Sequence, residues 1–276
     1  MSRLYLKLIC AIIFLLFYSA TTAQQKVNVF HEVKSAGFII YASNTMACPV
    51  SVILDLKLEN LAFSKHDDKI FVVPENTTRF KIGELNVVKK SAPYRFSFHF
   101  RSAYGNILQT SYDPDYEYWL PYKKGNSFLL IQGYNGLFSH LHENALDFLM
   151  PEGTEITAAR EGTVMMVVQN NTESCLRPEC KQWANYILVY HSDNTFAEYG
   201  HIKLNGAKVK AGDKIKKGDI IALSGNTGYS SVPHLHFACY TLTDSQIRQS
   251  IKTKFKTDDS TQTQYLKEKI QYLRSY

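Results

Sequence analysis

Residues 230–237 read SSVPHLHF, which places His234 and His236 two positions apart. Side chains at i and i+2 of a β-strand point to the same face, so the two imidazoles are predicted to project together while Leu235 and Phe237 enter a core. Imidazole is a common metal ligand, and a strand holds it rigidly. The segment therefore predicts a strand that presents a metal site, although one core histidine and one surface histidine would give the same pattern.

A second segment with metal-binding residue types lies upstream, at 138–148, and reads FSHLHENALDF. One of its histidines, Asp147 and one histidine of the later pair would supply two nitrogen ligands and one oxygen ligand. Such a set leaves a coordination position open for water, which is typical of catalytic rather than structural zinc. The segment does not match the helical His-Glu-x-x-His motif, because Leu146 stands where that motif needs its second histidine.

Hydrolytic chemistry also needs a group that moves protons or stabilises an oxyanion. His201, in the sequence Tyr-Gly-His, and His234 are the candidates for this role. His191 lies at the end of a predicted strand, 186–191, and is interpreted as a strand-end residue near the site rather than as a ligand.

The N-terminus has the pattern of a secretory signal peptide over residues 1–23. Arg3 and Lys7 precede an apolar run at 8–17, and small residues lead to a cleavage site after Ala23. The run is too short to span a bilayer comfortably. We therefore expect an exported protein, periplasmic or extracellular, with no stable membrane insertion after cleavage. Removal of residues 1–23 takes away two basic residues and lowers the formal net charge from +6 to +4, which suits an anionic partner such as a cell wall; no nucleic-acid partner is predicted.

Export makes disulfides possible. Cys175 and Cys180 bracket a short loop-like stretch and are predicted to form a local disulfide, because no second cysteine pair completes a structural zinc site. The sequence leaves the pairing of Cys48 and Cys239 open.

The chain of 276 residues is long enough for two domains, and its patterning is mainly β. Alternating apolar residues and turn signals over 24–106 predict a β-sandwich. A polar, tyrosine-rich connector is predicted at 107–124, and a second β-rich domain at 125–243. The tail, 244–276, carries Leu266, Ile270 and Leu273 at helical spacing, which predicts a short C-terminal helix.

The second domain resembles the lysostaphin-type (LytM) zinc metallopeptidases, which cut peptide bonds in peptidoglycan. The landmarks stand in the order typical of that family, at 145–154 (ALDFLMPEGT), 158–164 (AAREGTV), 185–191, 198–201 (EYGH), 224–228 (SGNTG) and 233–237 (PHLHF). Val232, Ala238 and Cys239 depart from the family pattern without removing a ligand. The resemblance implies a β-rich peptidase domain with a duplicated hybrid motif.

The resemblance also implies roles for individual residues. Asp147 and His236 would be zinc ligands, and His201 and His234 the catalytic pair. The simplest family motif has a histidine where this chain has Glu143, and longer variants place the ligand in a Ser-His, which favours His140 over His142 as the remaining ligand.

The expected activity is that of an exported zinc metalloendopeptidase, which hydrolyses peptidoglycan stem or cross-bridge peptides with metal-activated water. The alternative is a non-catalytic cell-wall-binding or amidase-regulating module of the same fold, which the complete histidine set disfavours. A third interpretation, based on Gly212-Asp213 and Gly218-Asp219, is a biotinyl or lipoyl carrier domain. Export argues against it, because carrier modification is cytosolic.

Overall fold

The computed structural model describes residues 26–243, 245–257 and 262–276, and the predicted signal peptide lies outside them. Over these residues the chain is mainly β, as the sequence predicts, with one short 3-10 helix at Pro178–Trp183. None of the helices in the described part of the chain is long and apolar enough to cross a membrane.

The first seven strands form two sheets that share one core. The first sheet has the order β1-β2-β6-β4 and the second the order β5-β3-β7. The strands are β1 (Val27–Lys34), β2 (Gly37–Asn44), β3 (Val50–Glu59), β4 (Leu61–Phe63), β5 (Ile70–Val73), β6 (Thr77–Val87) and β7 (Arg95–Tyr104). Ile40 and Leu85 from the first sheet and Val52 and Val73 from the second are fully buried in that core.

The residues that follow are dominated by a sheet of nine strands. Its order is β17-β12-β14-β15-β20-β10-β9-β24, with β21 paired to β20. The strands are β9 (Ser127–Gln132), β10 (Ala145–Leu149), β12 (Gly162–Val168), β14 (Tyr186–Tyr190), β15 (Phe196–Gly200), β17 (Lys214–Ile215), β20 (His234–Leu242), β21 (Arg248–Ile251) and β24 (Gln271–Leu273).

Three smaller sheets complete the structure. A sheet of order β11-β18-β16 joins Glu155–Thr157, Ile220–Ser224 and Ile202–Ala207. A parallel pair joins β13 (Ser174–Cys175) to β19 (Gly228–Tyr229). The third has the order β23-β22-β8 and joins Thr263–Gln264, Lys254–Lys256 and Glu117–Trp119, so part of the predicted connector is itself a strand.

The two faces of the nine-stranded sheet have different partners. On one face Leu146, Phe148, Leu235 and Phe237 pack in a core that also holds Ile156 of the small β11-β18-β16 sheet. Full burial of each such side chain stabilises the fold by about 1.5–3 kcal/mol.

Side chains on the opposite face meet the first two sheets, because Leu188, Phe196 and Tyr240 belong to their core cluster. His234 and His236 share this face with Tyr240, since side chains alternate along β20. The first seven strands and the two histidines therefore lie on the same side of the sheet.

The predicted C-terminal helix is wrong. Residues 271–273 form strand β24, which pairs antiparallel with β9. The helical spacing did not reflect a common buried face, because Leu266 is buried whereas Ile270 and Leu273 are about half exposed. Tyr272, which the helical pattern did not include, is the side chain of this strand that enters the core. Pairing with a distant strand edge has outweighed the weak local helical preference.

Candidate metal centre

Two neighbouring strands hold Asp147 and His236 together. In the antiparallel pair of β10 and β20, Asp147 lies directly opposite His236. Their neighbours Leu146, Phe148, Leu235 and Phe237 are buried in the core on the other face, which fixes the register because a one-residue slip would expose them. On the adjacent strand β15, Gly200 lies opposite His236 and leaves room for its ring, since a Cβ at this glycine would be 3.3 Å from the His236 Cβ.

His140 comes from the loop between β9 and β10. Its side chain is buried, with 1% of the residue exposed. The Nδ1 atom lies 3.1 Å from the carbonyl oxygen of Gly133, and Nε2 lies 3.2 Å from Asp147 Oδ2. His140, Asp147 and His236 each offer one ligand atom, and these atoms lie within 4.8 Å of one another.

The hydrogen bonding of the His140 ring suits a cation bound between His140 and Asp147. A carbonyl oxygen only accepts hydrogen bonds, so His140 Nδ1 carries a proton and Nε2 is the ring atom that a metal ion would bind. That buried Nε2 has no hydrogen-bond partner, although it faces the Asp147 carboxylate. A metal ion between Nε2 and the carboxylate would have both buried groups as ligands. The residues present therefore fit a metal ion.

Asp147 and the neighbouring histidines shift one another's pKa values. Burial raises the pKa of Asp147, but the neighbouring imidazoles of His140 and His236 outweigh this and hold that pKa well below its usual range. Burial lowers the pKa of His236, but the hydrogen bond with Asp147, whose Oδ1 lies 3.1 Å from its Nδ1, raises it overall. The carboxylate is therefore ionised at neutral pH, as a metal ligand must be.

His201 and His234 stand beside this cluster with their ring centroids 4.5 Å apart. His201 Nδ1 lies 2.6 Å from the Thr227 carbonyl oxygen, and His234 Nδ1 lies 2.8 Å from that of Val232. Each Nδ1 therefore donates to a carbonyl and each Nε2 keeps its lone pair. His234 Nε2 lies 3.6 Å from Asp147 Oδ1, so its lone pair is turned to the centre.

Both of these rings are held neutral. Burial, together with the neighbouring imidazoles of His234 and His236, lowers the pKa of His201 to about 3. Burial also lowers the pKa of His234, despite the nearby Asp147 carboxylate. His201 adopts a left-handed backbone conformation with φ of 59°, which is uncommon for a non-glycine residue and concentrates at functional sites.

A groove crosses the cluster. It consists of two cavities of about 250 and 150 Å³ that share Ser139, His201, Tyr229 and His236 in their walls. The disulfide between Cys175 and Cys180 is present, as the sequence predicts, and the 3-10 helix that contains Cys180 brings Lys181 to the wall of the larger cavity. Tyr186, Glu198 and Arg248 also line that cavity.

Other histidines and cysteines named from the sequence lie elsewhere. His142 is exposed, has φ of 62° and is not part of the metal-binding group. His191 is buried at the end of β14, with Nδ1 2.7 Å from the Glu161 carbonyl oxygen, and does not line either cavity. Cys48 and Cys239 are free, buried thiols in separate cores.

The sequence alone did not identify Gln132, Lys181, Glu198 or Arg248 as residues of the site. The last three line the groove, and Gln132 contacts Asp147 directly. Only Gln132 carries a local signal, because it is the polar residue that ends the apolar run 128–131.

Comparison with known proteins identifies the class of the second half of the chain. Residues 141–248 match Peptidase family M23, a range that includes Asp147, His201, His234 and His236 and begins one residue after His140. The chain therefore contains a Peptidase family M23 domain, and the resemblance noted from the sequence is confirmed.

Three curated relatives show how far the similarity extends. An uncharacterized metalloprotease of Buchnera aphidicola is 40% identical over 92 residues, which cover 33% of this chain and 21% of the relative. Peptidoglycan DD-endopeptidase ShyA of Vibrio cholerae is 35% identical over 94 residues, or 34% of this chain and 19% of the relative. Glycyl-glycine endopeptidase ALE-1 of Staphylococcus capitis is 33% identical over 129 residues, or 43% of this chain and 30% of the relative. The similarity thus spans less than a third of each relative.

Proposed function

We propose that this protein is an exported zinc metalloendopeptidase that hydrolyses peptide bonds in peptidoglycan stem or cross-bridge peptides. The M23 domain and the names of two relatives, a DD-endopeptidase and a glycyl-glycine endopeptidase, support the reaction and the substrate class. The observation that carries the proposal is the buried, unpartnered Nε2 of His140, which faces Asp147 beside His236.

His140, Asp147 and His236 would hold the ion. Two nitrogen ligands and one oxygen ligand suit zinc and leave a position open for the reaction. When bound, zinc lowers the pKa of a coordinated water to about 7 and polarises a substrate carbonyl. The protein's own side chains would then position the peptide and transfer one proton.

His201 and His234 are the proposed catalytic pair. Because both rings are neutral with Nδ1 bonded to a carbonyl, Nε2 of each can accept a proton from the attacking water. The same Nε2, once protonated, can donate a hydrogen bond to the developing oxyanion or pass the proton to the leaving amine.

The groove gives access to a peptide rather than to a small solute. Its two cavities adjoin, since they share four wall residues, and an extended peptide that occupied both would pass the cluster. Lys181 places a positive charge at the larger cavity, and Glu198 and Arg248, which also line it, form an ion pair with each other. Bonds within peptidoglycan peptides present the polar backbone and charged termini that such a groove would accommodate.

We further propose that residues 1–23 are a cleaved export signal and that residues 24–106 and 125–243 form two domains joined by 107–124. Mass analysis of secreted protein tests the first part, since the mature chain should begin at Gln24. A chain that retains residues 1–23 after export would contradict it.

The central experiment combines metal analysis with digestion of purified peptidoglycan. The protein should bind one zinc ion, a chelator should abolish digestion, and the new peptide ends should identify the cleaved bond. Asp147→Ala and His236→Ala should lose metal. His201→Ala and His234→Ala should keep metal while turnover falls by roughly 10²–10⁴-fold, the usual contribution of a general acid or base.

His66, an exposed histidine paired with Asp67 in the first domain, provides the matched control. His66→Ala should retain both metal and activity. Active protein without metal would refute the metalloenzyme proposal, and equal metal loss in all four site variants would refute the division between ligands and catalytic residues.

A further inference from the structure

Gln132 connects two parts of the metal cluster that come from different segments. It is the last residue of β9, and only 8% of it is exposed. Its side chain lies between the Asp147 carboxylate on β10 and the backbone of Phe138 and Ser139, which immediately precede His140.

The amide of Gln132 makes four hydrogen bonds. Nε2 donates to Asp147 Oδ2 at 3.0 Å and to Ser139 Oγ at 2.7 Å. Oε1 accepts from the backbone N–H groups of Phe138 and Ser139 at 3.1 and 3.2 Å. A flipped amide would place its NH₂ against two N–H donors and its oxygen against a carboxylate, so the orientation is unambiguous.

The loop is shaped around this side chain. A Cβ at Gly136 would lie 2.4 Å from Gln132 Cγ, which is closer than non-bonded carbon atoms approach. The loop can therefore close over Gln132 only with glycine at this position. The His140 backbone N–H then donates to the Gly136 carbonyl at 3.1 Å, which continues the turn to the ligand itself.

We propose that Gln132 is a positioning residue that holds the Asp147 carboxylate and the His140 loop in a fixed relation, so that both ligands are placed before the metal binds. This inference rests on the proposed metal site. The reason is physical: an exposed loop would otherwise have to be ordered when the ion binds, and that ordering would reduce the affinity. Partners that orient metal ligands typically change affinity or activity by 10–100-fold when they are removed.

The test is the metal affinity of the full-length protein with Gln132→Met, which keeps the length of the side chain and removes all four hydrogen bonds. Apo protein is titrated with Zn²⁺ against a chromophoric chelator, and the visible spectrum of the Co²⁺ form reports the ligand geometry. We expect affinity to fall by about 10–100-fold and the Co²⁺ spectrum to change. Gly136→Ala should have a similar effect, because it displaces Gln132 without removing it.

The matched control is Gln169→Met. The Gln169 Oε1 also accepts a backbone N–H, that of Ala207, but Gln169 lines neither cavity of the groove. Its metal affinity and Co²⁺ spectrum should equal those of the parent protein. Circular dichroism of each apo variant separates loss of folding from loss of affinity, and Gly136→Ala carries the test if Gln132→Met does not fold.

The outcomes distinguish this inference from the proposed function. If the parent protein binds metal and folded Gln132→Met and Gly136→Ala bind it equally well with an unchanged spectrum, Gln132 is only a structural residue and the inference is overturned. If the parent protein itself binds no metal, the proposed function fails first.

Discussion

The disulfide between Cys175 and Cys180 offers a sharp test of how the groove wall works. It closes a ring of six residues, because the two cysteines are separated by five positions in sequence number. The Ser174–Cys175 strand pairs with Gly228–Tyr229, so this ring is attached to the strand that carries Tyr229 into both cavities. Removing the covalent link should loosen one wall without touching the metal cluster.

The perturbation is the double variant Cys175→Ala, Cys180→Ala. Alanine is preferred to serine because Cys180 is fully buried and a hydroxyl there would need a hydrogen-bond partner. The loop-closure entropy of so small a ring corresponds to about 2 kcal/mol of unfolding free energy. For a chain of this size that is a fall in melting temperature of roughly 5 °C.

The functional expectation follows from which side chains move. Lys181 and Tyr229 line the groove, whereas His140, Asp147 and His236 are held by other segments. The double variant should therefore keep its metal, and its KM should rise several-fold for some peptides more than for others while kcat changes little. Thermal unfolding, metal analysis and kinetics on a set of synthetic peptides measure these effects.

Two results would refute the reasoning. Loss of zinc from the double variant would mean that these cysteines support the metal site. An unchanged peptide preference, together with the expected loss of stability, would mean that the ring stabilises the fold without shaping the groove. Reduction of the parent protein by a phosphine reductant, which has no thiol to compete for zinc, should reproduce the effect and serves as an independent control.

Further predictions concern other buried groups. Burial lowers the pKa of His191 to about 4, below its unfolded value near 6.5, so the unfolded chain binds the extra proton first and stability should fall by roughly 3 kcal/mol as the pH drops from 6.5 to 4. His191→Gln should flatten this acid dependence in denaturant titrations, and an unchanged slope would exclude His191 as its source. His140→Ala should weaken zinc binding strongly and His142→Ala should leave it near normal, whereas the reverse pattern would make His142 the ligand. Tyr272→Ala should cost about 3 kcal/mol or more of unfolding free energy and its exposed neighbour Leu273→Ala little, and equal costs would contradict the burial of strand β24.

Much of the site was predictable from the sequence because strand geometry is local. Side chains of a β-strand alternate between its two faces, so His234 and His236 lie on one face and Leu235 and Phe237 on the other, whatever the strand packs against. The same alternation around Asp147, between Leu146 and Phe148, predicts a polar side chain on the face opposite the core. These patterns identified the mainly β fold and the segments that meet at the cluster.

The tertiary structure decided the features that depend on distant partners. His140 and His142 are chemically alike, and only the conformation of the loop, held by Gly133 and Gln132, turns one into the cluster and the other into solvent. The C-terminal segment forms a strand because it pairs with the edge of β9, although the paired residues are more than 130 positions apart in the sequence. Local spacing determines which side chains share a face, but loop conformation and strand pairing are set by contacts that the sequence pattern does not encode.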